Sequence, residues 1–458
     1  MEHLPTELRR HILQCLSIPS LKALRQCSKI WGTLGEEYLL DPTYITYPHR
    51  DDFTRLKDIS KHPRLASYIQ RLEFNLGEVN EYHARHNTYF MQYTQEPEYR
   101  DQILGEAWAY LAQLKSLKEK YARTVCDEAC LRSCFAGLTA LKSIAVSLHK
   151  VPGFTNSLFE SVWRFPSTRS LPRVTTWERF SSLLIALCAS QTRLESLSHD
   201  RLPFEFFAQH KITISPWSSA FANLQCLSLQ IDYIDPSSIH IHQATERLAC
   251  VLRSATLLRT LHLGFQGRAK FDISSLLRQL VPQLPSVDES SSLDENIRVS
   301  GDDLPQDALE QPLFPFLTTL KFEGISAEEH DLGQFIIRHN TLKRLQLGGH
   351  GITAPHHASR GGITILEGSL RSLLTTFQTA LKLEKFHLQG DVQEEEMLSF
   401  LLRPIYDDEW NDLPFVASKM QQTKAYEDFV IRRAEWAKAV DAAPVLLPQG
   451  SDLLALIE

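Results

Sequence analysis

"LGQFIIRHNTLKRLQLGG", Leu332 to Gly349, carries two periods in one short stretch. The first half spaces its apolar residues as one face of a helix. The second half reads Leu342-x-x-Leu345-x-Leu347, and its last two apolar positions are two apart, so they share one face of a strand. A helix stripe followed by a strand stripe needs a shared core between them. The same order recurs. "RFSSLLIALCASQTRLESLSHD" leads into Leu194-x-x-Leu197, and "ERLACVLRSATLLRTLHLG" into Leu258-x-x-Leu261-x-Leu263. "LRSLLTTFQTALKLEKFHLQG" leads into Leu383-x-x-Phe386-x-Leu388. Similar strand halves stand at Ile69/Leu72/Phe74, Leu141/Ile144/Val146, Leu224/Leu227/Leu229 and Leu317/Leu320/Phe322. Repeated helix–strand alternation predicts an α/β fold with a parallel sheet and outer helices.

Leu-x-x-Leu-x-Leu is the strand signature of leucine-rich repeats. The spacing here is irregular: 30 residues from Leu194 to Leu224, 34 more to Leu258, then 59 to Leu317. The usual Asn after the strand is missing. The repeats therefore resemble divergent leucine-rich repeats, and the expected solenoid is an irregular one, over residues 41–393. A helical insertion is expected at about 78–135, with Leu104, Ala107, Trp108, Leu111 and Leu114 as its apolar stripe. Residues 394–458 are expected to form a helical cap and tail. There Leu401, Ile405, Trp410, Leu413, Phe415, Phe429 and Trp436 would cover the last repeat.

Much of the long gap is acidic. From Ser286 to Pro312 eight carboxylates, Asp288, Glu289, Asp294, Glu295, Asp302, Asp303, Asp307 and Glu310, face Arg298 alone. With few aromatic or β-branched residues, such a stretch cannot offset its ordering entropy by burial. It reads as a disordered loop. The whole chain has a net charge of −7, so the remainder is balanced, which argues against a nucleic-acid partner. The longest apolar run, "LLIALCA", is far below the roughly 20 residues that span a bilayer. Eight Cys in a chain of 458 residues suggest reduced thiols in the cytoplasm or nucleus rather than a disulfide framework.

The first residues form a separate unit. Leu8, Ile12, Leu13 and Leu16 recur at helical spacing, with Thr6 as candidate N-cap. Pro19 marks a break and a new first turn, Leu21 and Leu24 continue, and Ser28 can cap a third helix carrying Trp31. Glu7, Arg9, Arg10 and His11 interrupt the run, unlike a secretory leader. The pattern Leu4-Pro5-x-Glu7-Leu8, Ile12-Leu13, Leu16, Pro19, Leu21, Leu24 and Ser28-x-x-Trp31 resembles the F-box, with Cys27 where Val is usual. The resemblance covers residues 1–40, and with the divergent repeats the chain resembles the F-box proteins of filamentous fungi. It implies a three-helix unit that binds the adaptor of an SCF-type cullin-RING ubiquitin ligase, here through Leu4, Pro5, Leu8, Ile12, Leu13, Leu16, Leu21, Leu24 and Trp31. The rest of the chain would then hold a protein substrate, with a scaffold outside the ligase as the alternative.

No catalytic pattern accompanies this. Cys126, Cys130 and Cys134 lie at i, i+4 and i+8, too far apart along a helix for all three to share one ion. "GGHGITAPHHASRGG" has His350, His356 and His357 but no Lys for a phosphate loop. Ser198, His199 and Asp200 are neighbours in a strand, so their side chains alternate between faces. No enzyme, cofactor or metal is expected. Substrate contacts are expected from the outward strand positions Thr260, His262, Thr319, Lys321, Arg344, Gln346, Lys385 and His387. Stacking in register would align Lys321, Arg344 and Lys385 into a basic stripe suited to acidic or phosphorylated peptide.

Overall fold

The structure is a computed structural model of the chain, and it describes residues 4–38, 41–79, 97–121, 127–149, 169–209, 217–233, 241–267, 269–280, 312–349, 361–393, 399–402, 410–411 and 417–432. The chain divides into two units, Met1–His199 and Asp200–Glu458.

The first unit runs α1 (Thr6–Gln14), α2 (Ile18–Cys27), α3 (Lys29–Glu36), β1 (Thr43–Thr46), α4 (Asp52–Ser60), α5 (Pro63–Ala66), β2 (Arg71–Asn75) and β3 (Glu78–Val79). It continues with α6 (Pro97–Tyr121), α7 (Glu128–Gly137), β4 (Ser143–Ser147), β5 (Arg169–Ser170), α8 (Arg173–Ser190) and the start of β6 (Ser196–Pro203). Strands β1, β2, β4 and β6 pair in that order, all parallel. The register places Leu72, Ile144 and Leu197 on one rung and Phe74, Val146 and His199 on another, all buried. Helices α4, α7 and α8 pack side by side over them. Phe53 of α4 meets the Phe74 ring at 6.0 Å, and Phe180 of α8 meets His199 edge-on at 5.0 Å. Each inward apolar side chain contributes about 1.5–3 kcal/mol by leaving water.

The second unit continues with α9 (Ser218–Phe221), β7 (Cys226–Asp232), α10 (Ile241–Ser254), β8 (Thr260–Gln266), β9 (Phe271–Asp272) and α11 (Ser274–Leu280). Then follow β10 (Thr319–Glu323), β11 (Ile325–Ala327), α12 (Glu329–Arg338), β12 (Arg344–Leu347), β13 (Ile363–Ile365) and α13 (Leu370–Ala380). The last described elements are β14 (Lys385–Leu388), β15 (Gly390–Gln393), β16 (Ser399–Leu402) and α14 (Ala417–Arg432). Strands β7, β8, β10, β12 and β14 form one parallel array. Leu227, Leu261, Leu320, Leu345 and Phe386 make one buried rung, and Leu229, Leu263, Phe322, Leu347 and Leu388 the next. Helices α10 to α14 follow one another along the outer layer.

A second sheet was not anticipated from sequence. Strands β9, β11, β13 and β15 pair in parallel, and β16 adds antiparallel. Short segments such as "ISA" and "ITI" carry too few residues for a period to register. The chain turns through Gly324 between β10 and β11, at φ 66°, and through Gly390 at the start of β15, at φ 81°. Gly348, at φ 84° just after β12, is similar, and a Cβ there would lie 1.9 Å from the Gln389 carbonyl oxygen. Lys270 staples this second layer: its Nζ donates to the carbonyls of Ile363 (2.9 Å) and Asp391 (2.6 Å) and pairs with the Asp391 carboxylate at 3.1 Å.

Several expectations are corrected. Pro5, not Thr6, occupies the N-cap of α1, and no side chain caps it. The insertion is narrower than 78–135, because α7 belongs to the outer helix layer between α4 and α8. Among the described side chains of α6 the buried ones are Ile103, Ala107 and Leu111, and Trp108 is exposed, so the stripe is rotated from the expected one. Residues 394–443 are not all helical, since Ser399–Leu402 is a strand. Phe429 is buried on α14, which packs against β14 and α13. The side chain of Leu401, and all of Ile405, Leu413, Phe415 and Trp436, lie outside the described residues, as do the acidic stretch up to Gln311 and His350, His356 and His357.

Candidate docking surfaces

The α1–α3 unit has a small core. Leu13, Leu21 and Trp31 are buried, and Ile12, Leu16, Leu24, Leu34 and Tyr38 pack around them. Ser17 caps α2, its Oγ accepting from the Ser20 amide, and Ser28 caps α3 by accepting from the Trp31 amide. Arg25 lies across Gly32 and Gly35, where its Nε donates to the Gly32 carbonyl at 3.1 Å and a Cβ on Gly35 would strike its side chain. Its guanidinium also meets Glu36 at 3.4 Å, and the second oxygen of Glu36 pairs with Arg64 at 2.8 Å. This carboxylate thus ties α3 to both α2 and α5.

The residues expected to bind the adaptor therefore divide. Leu13, Leu21 and Trp31 are interior, Leu4, Ile12, Leu16 and Leu24 are half-buried, and Pro5 and Leu8 are exposed. Each of the three helices leaves one large apolar side chain in solvent: Leu8 at 52%, Ile18 at 47% and Ile30 at 40% exposure. Ile18 and Ile30 were missed from sequence. The signal available was their position off the inward period, one and two residues after the capping Ser17 and Ser28.

The outward face of β7–β14 is the second candidate. Its first rung runs Cys226, Thr260, Thr319, Arg344 and Lys385, and its second Ser228, His262, Lys321, Gln346 and His387. Lys321 thus lies one rung away from Arg344 and Lys385, and the expected single basic stripe is two steps instead. Gln346 and His387 are buried, so they are poor contact residues. Gln346 donates to the Gly348 carbonyl at 2.9 Å, and His387 lies edge-on to Trp410 at 6.4 Å. Lys385 donates its Nζ proton to the Trp410 carbonyl. His262 bonds Ser228 through Nδ1 (3.0 Å), while its Nε2 faces Gln230 (3.0 Å) and the buried Glu323 (3.3 Å). Gln230 also donates to Glu323 at 2.9 Å. Glu323 is thereby occupied by its own neighbours, and Asp232, further along the same face of β7, pairs with Arg201 at 2.9 Å.

Other sequence features take structural places. His199 points inward and is buried, while Ser198 and Asp200 point the other way and are half-buried. Cys134 is buried, and burial pushes its thiol up to about 12. Cys126 lies outside the described residues. Among the described residues no group of three or more His, Cys, Asp or Glu could hold a metal ion, and no helix is long and apolar enough to cross a membrane.

Three short helices around one Trp, each leaving one large apolar side chain exposed, form a small unit whose outer face suits docking. Residues 1–36 match the F-box domain. The match supports a role in binding an SCF-type adaptor, and the F-box is a non-catalytic module. No curated protein matches the chain.

Proposed function

We propose that this chain is the substrate-receptor subunit of an SCF-type ubiquitin ligase, working in the cytoplasm or nucleus. Residues 1–40 dock on the adaptor through Pro5, Leu8, Ile18 and Ile30, with Leu4, Ile12, Leu16 and Leu24 supporting them from the half-buried layer. The observation that carries the reading is the coincidence of the F-box match with a three-helix unit whose exposed apolar residues come one from each helix. The remaining α/β region is a divergent leucine-rich-repeat solenoid, supported by the recurring order of helix, long strand and short strand. Its outward strand face takes a protein substrate. The chemistry of ubiquitin transfer belongs to other subunits, and this chain contributes proximity and orientation.

Affinity purification of the intact chain tests this. Adaptor and cullin should be recovered together, and deletion of residues 1–36 should lose both. Recovery of adaptor without cullin would instead support a scaffold outside the ligase.

A further inference from the structure

We propose that the cleft between α11 and α12, in the helix layer of the second unit, binds a small organic acid carrying a single carboxylate. The cleft has a volume of about 310 Å³, at the small end of ligand cavities, and is lined by Leu277, Arg278, His330, Asp331, Gln334 and Arg338. His330, Gln334 and Arg338 come at i, i+4 and i+8, so they share one face of α12. From α11 come Leu277, which is buried, and Arg278, which is exposed. The site belongs to the helix layer, so it does not depend on reading the strand face as a substrate surface.

The two guanidinium groups of the cleft differ in what they still need. Arg278 is matched twice, its Nε donating to Asp331 at 2.7 Å and its Nη2 to Glu328 at 2.7 Å. Arg338 is half-buried, its side chain makes no ion pair or hydrogen bond among the described residues, and its Nη1 is buried without an acceptor. Among the described residues of the cleft it is the cation left without a counter-charge. A buried charged nitrogen with no acceptor is costly, and a carboxylate drawn into the cleft is the acceptor that the fold does not supply. One guanidinium takes one carboxylate bidentately. His330 and Gln334, which also make no side-chain hydrogen bond or ion pair among the described residues, stand one and two turns away on the same face as further partners. Asp331 sets the charge limit. It lies on the cleft wall, so a doubly charged phosphate would bring a second negative charge against it, whereas a single carboxylate answers Arg338 alone. Leu277 gives the apolar body of the acid a surface.

The test uses the full chain and three probes of similar shape, para-fluorobenzoate, para-fluorobenzamide and para-fluorophenyl phosphate. Fluorine NMR reads their binding at about pH 7.5, where the phosphate is largely dianionic. The benzoate should bind at least about tenfold more tightly than the benzamide and than the phosphate. Arg338→Gln should weaken the benzoate about tenfold or more, and Arg338→Lys, which keeps the charge but loses the fork, should fall between. Arg259→Gln, which removes an exposed cation just before β8, should leave it unchanged. Asp331→Asn should narrow the gap between phosphate and benzoate. Melting temperature serves as the folding control. If Arg338→Gln does not fold, Arg338→Lys carries the test, and its benzoate affinity must fall at least about threefold. No binding of the benzoate at about 10 mM, equal binding of the benzamide, or tighter binding of the phosphate would overturn the proposal. So would an unchanged benzoate affinity in the folded Arg338 variant, or an equal loss in Arg259→Gln.

Discussion

His339 makes the fold of the second unit sensitive to acid. Its ring lies between Phe314, stacked at 5.6 Å, and Phe335 at 4.7 Å. Nδ1 donates to the Phe335 carbonyl at 2.7 Å, and Nε2 accepts from the Phe314 amide at 3.4 Å, so the neutral ring is the form that fits. Burial is the largest influence and, with Arg338 nearby, lowers its pKa to about 4 against the backbone hydrogen bond that raises it. The unfolded chain keeps an ordinary His near 6.5. Because the folded pKa is depressed, the unfolded state binds more protons between these values. Stability is thus complete above about pH 6.5 and falls as pH drops toward 4. The loss is about 2 kcal/mol at pH 5 and about 3 kcal/mol well below pH 4, at roughly 1.4 kcal/mol per unit. Urea unfolding of wild type and His339→Gln at pH 7 and pH 5 measures it, with hydrogen exchange over residues 312–349 to localise it. His49 is also pushed down to about 4, by burial and then by Arg50, so only the difference between the two proteins isolates His339. Equal pH dependence in both would refute the reasoning.

Two further substitutions probe the second sheet. Lys270→Met leaves the half-buried Asp391 carboxylate without its cation, and should cost up to about 3–5 kcal/mol in urea unfolding; a loss below about 1 kcal/mol would mean the staple is solvated. Gly348→Ala puts a Cβ against the Gln389 carbonyl at a positive φ and should cost at least about 1–3 kcal/mol, read as a lower melting temperature; an unchanged melting temperature would show that the turn relaxes freely.

The long strands were legible because burial on one face writes a period of two. Leu345 and Leu347, or Leu227 and Leu229, sit inward as their spacing required. The outward polar positions were legible as a set, but not their depth. Gln346 and His387 are polar yet buried, because hydrogen bonding to Gly348 and contact with Trp410 occupy them. No local pattern carries that information, since the partners are distant in sequence or lie in a turn. The basic stripe failed for a different reason. Leu320 and Leu345 align as expected, but Lys321 follows Leu320 whereas Arg344 precedes Leu345, which places them on different rungs. In the N-terminal unit the interior Leu13, Leu21 and Trp31 were read together with the exposed Leu8, because both kinds are apolar and only the packing separates them.

The most direct measurement is the affinity of the adaptor for the chain carrying Leu8→Ser, Ile18→Ser and Ile30→Ser together. These residues are 52%, 47% and 40% exposed, so the melting temperature should stay close to wild type. Loss of three interface anchors should weaken adaptor binding by at least about 30-fold, the effect of a single strong anchor. Leu13→Ala is the contrast: it should lower the melting temperature of the unit, because its side chain is 1% exposed. An adaptor affinity unchanged by the triple substitution, in a chain that still folds, would contradict docking through this face.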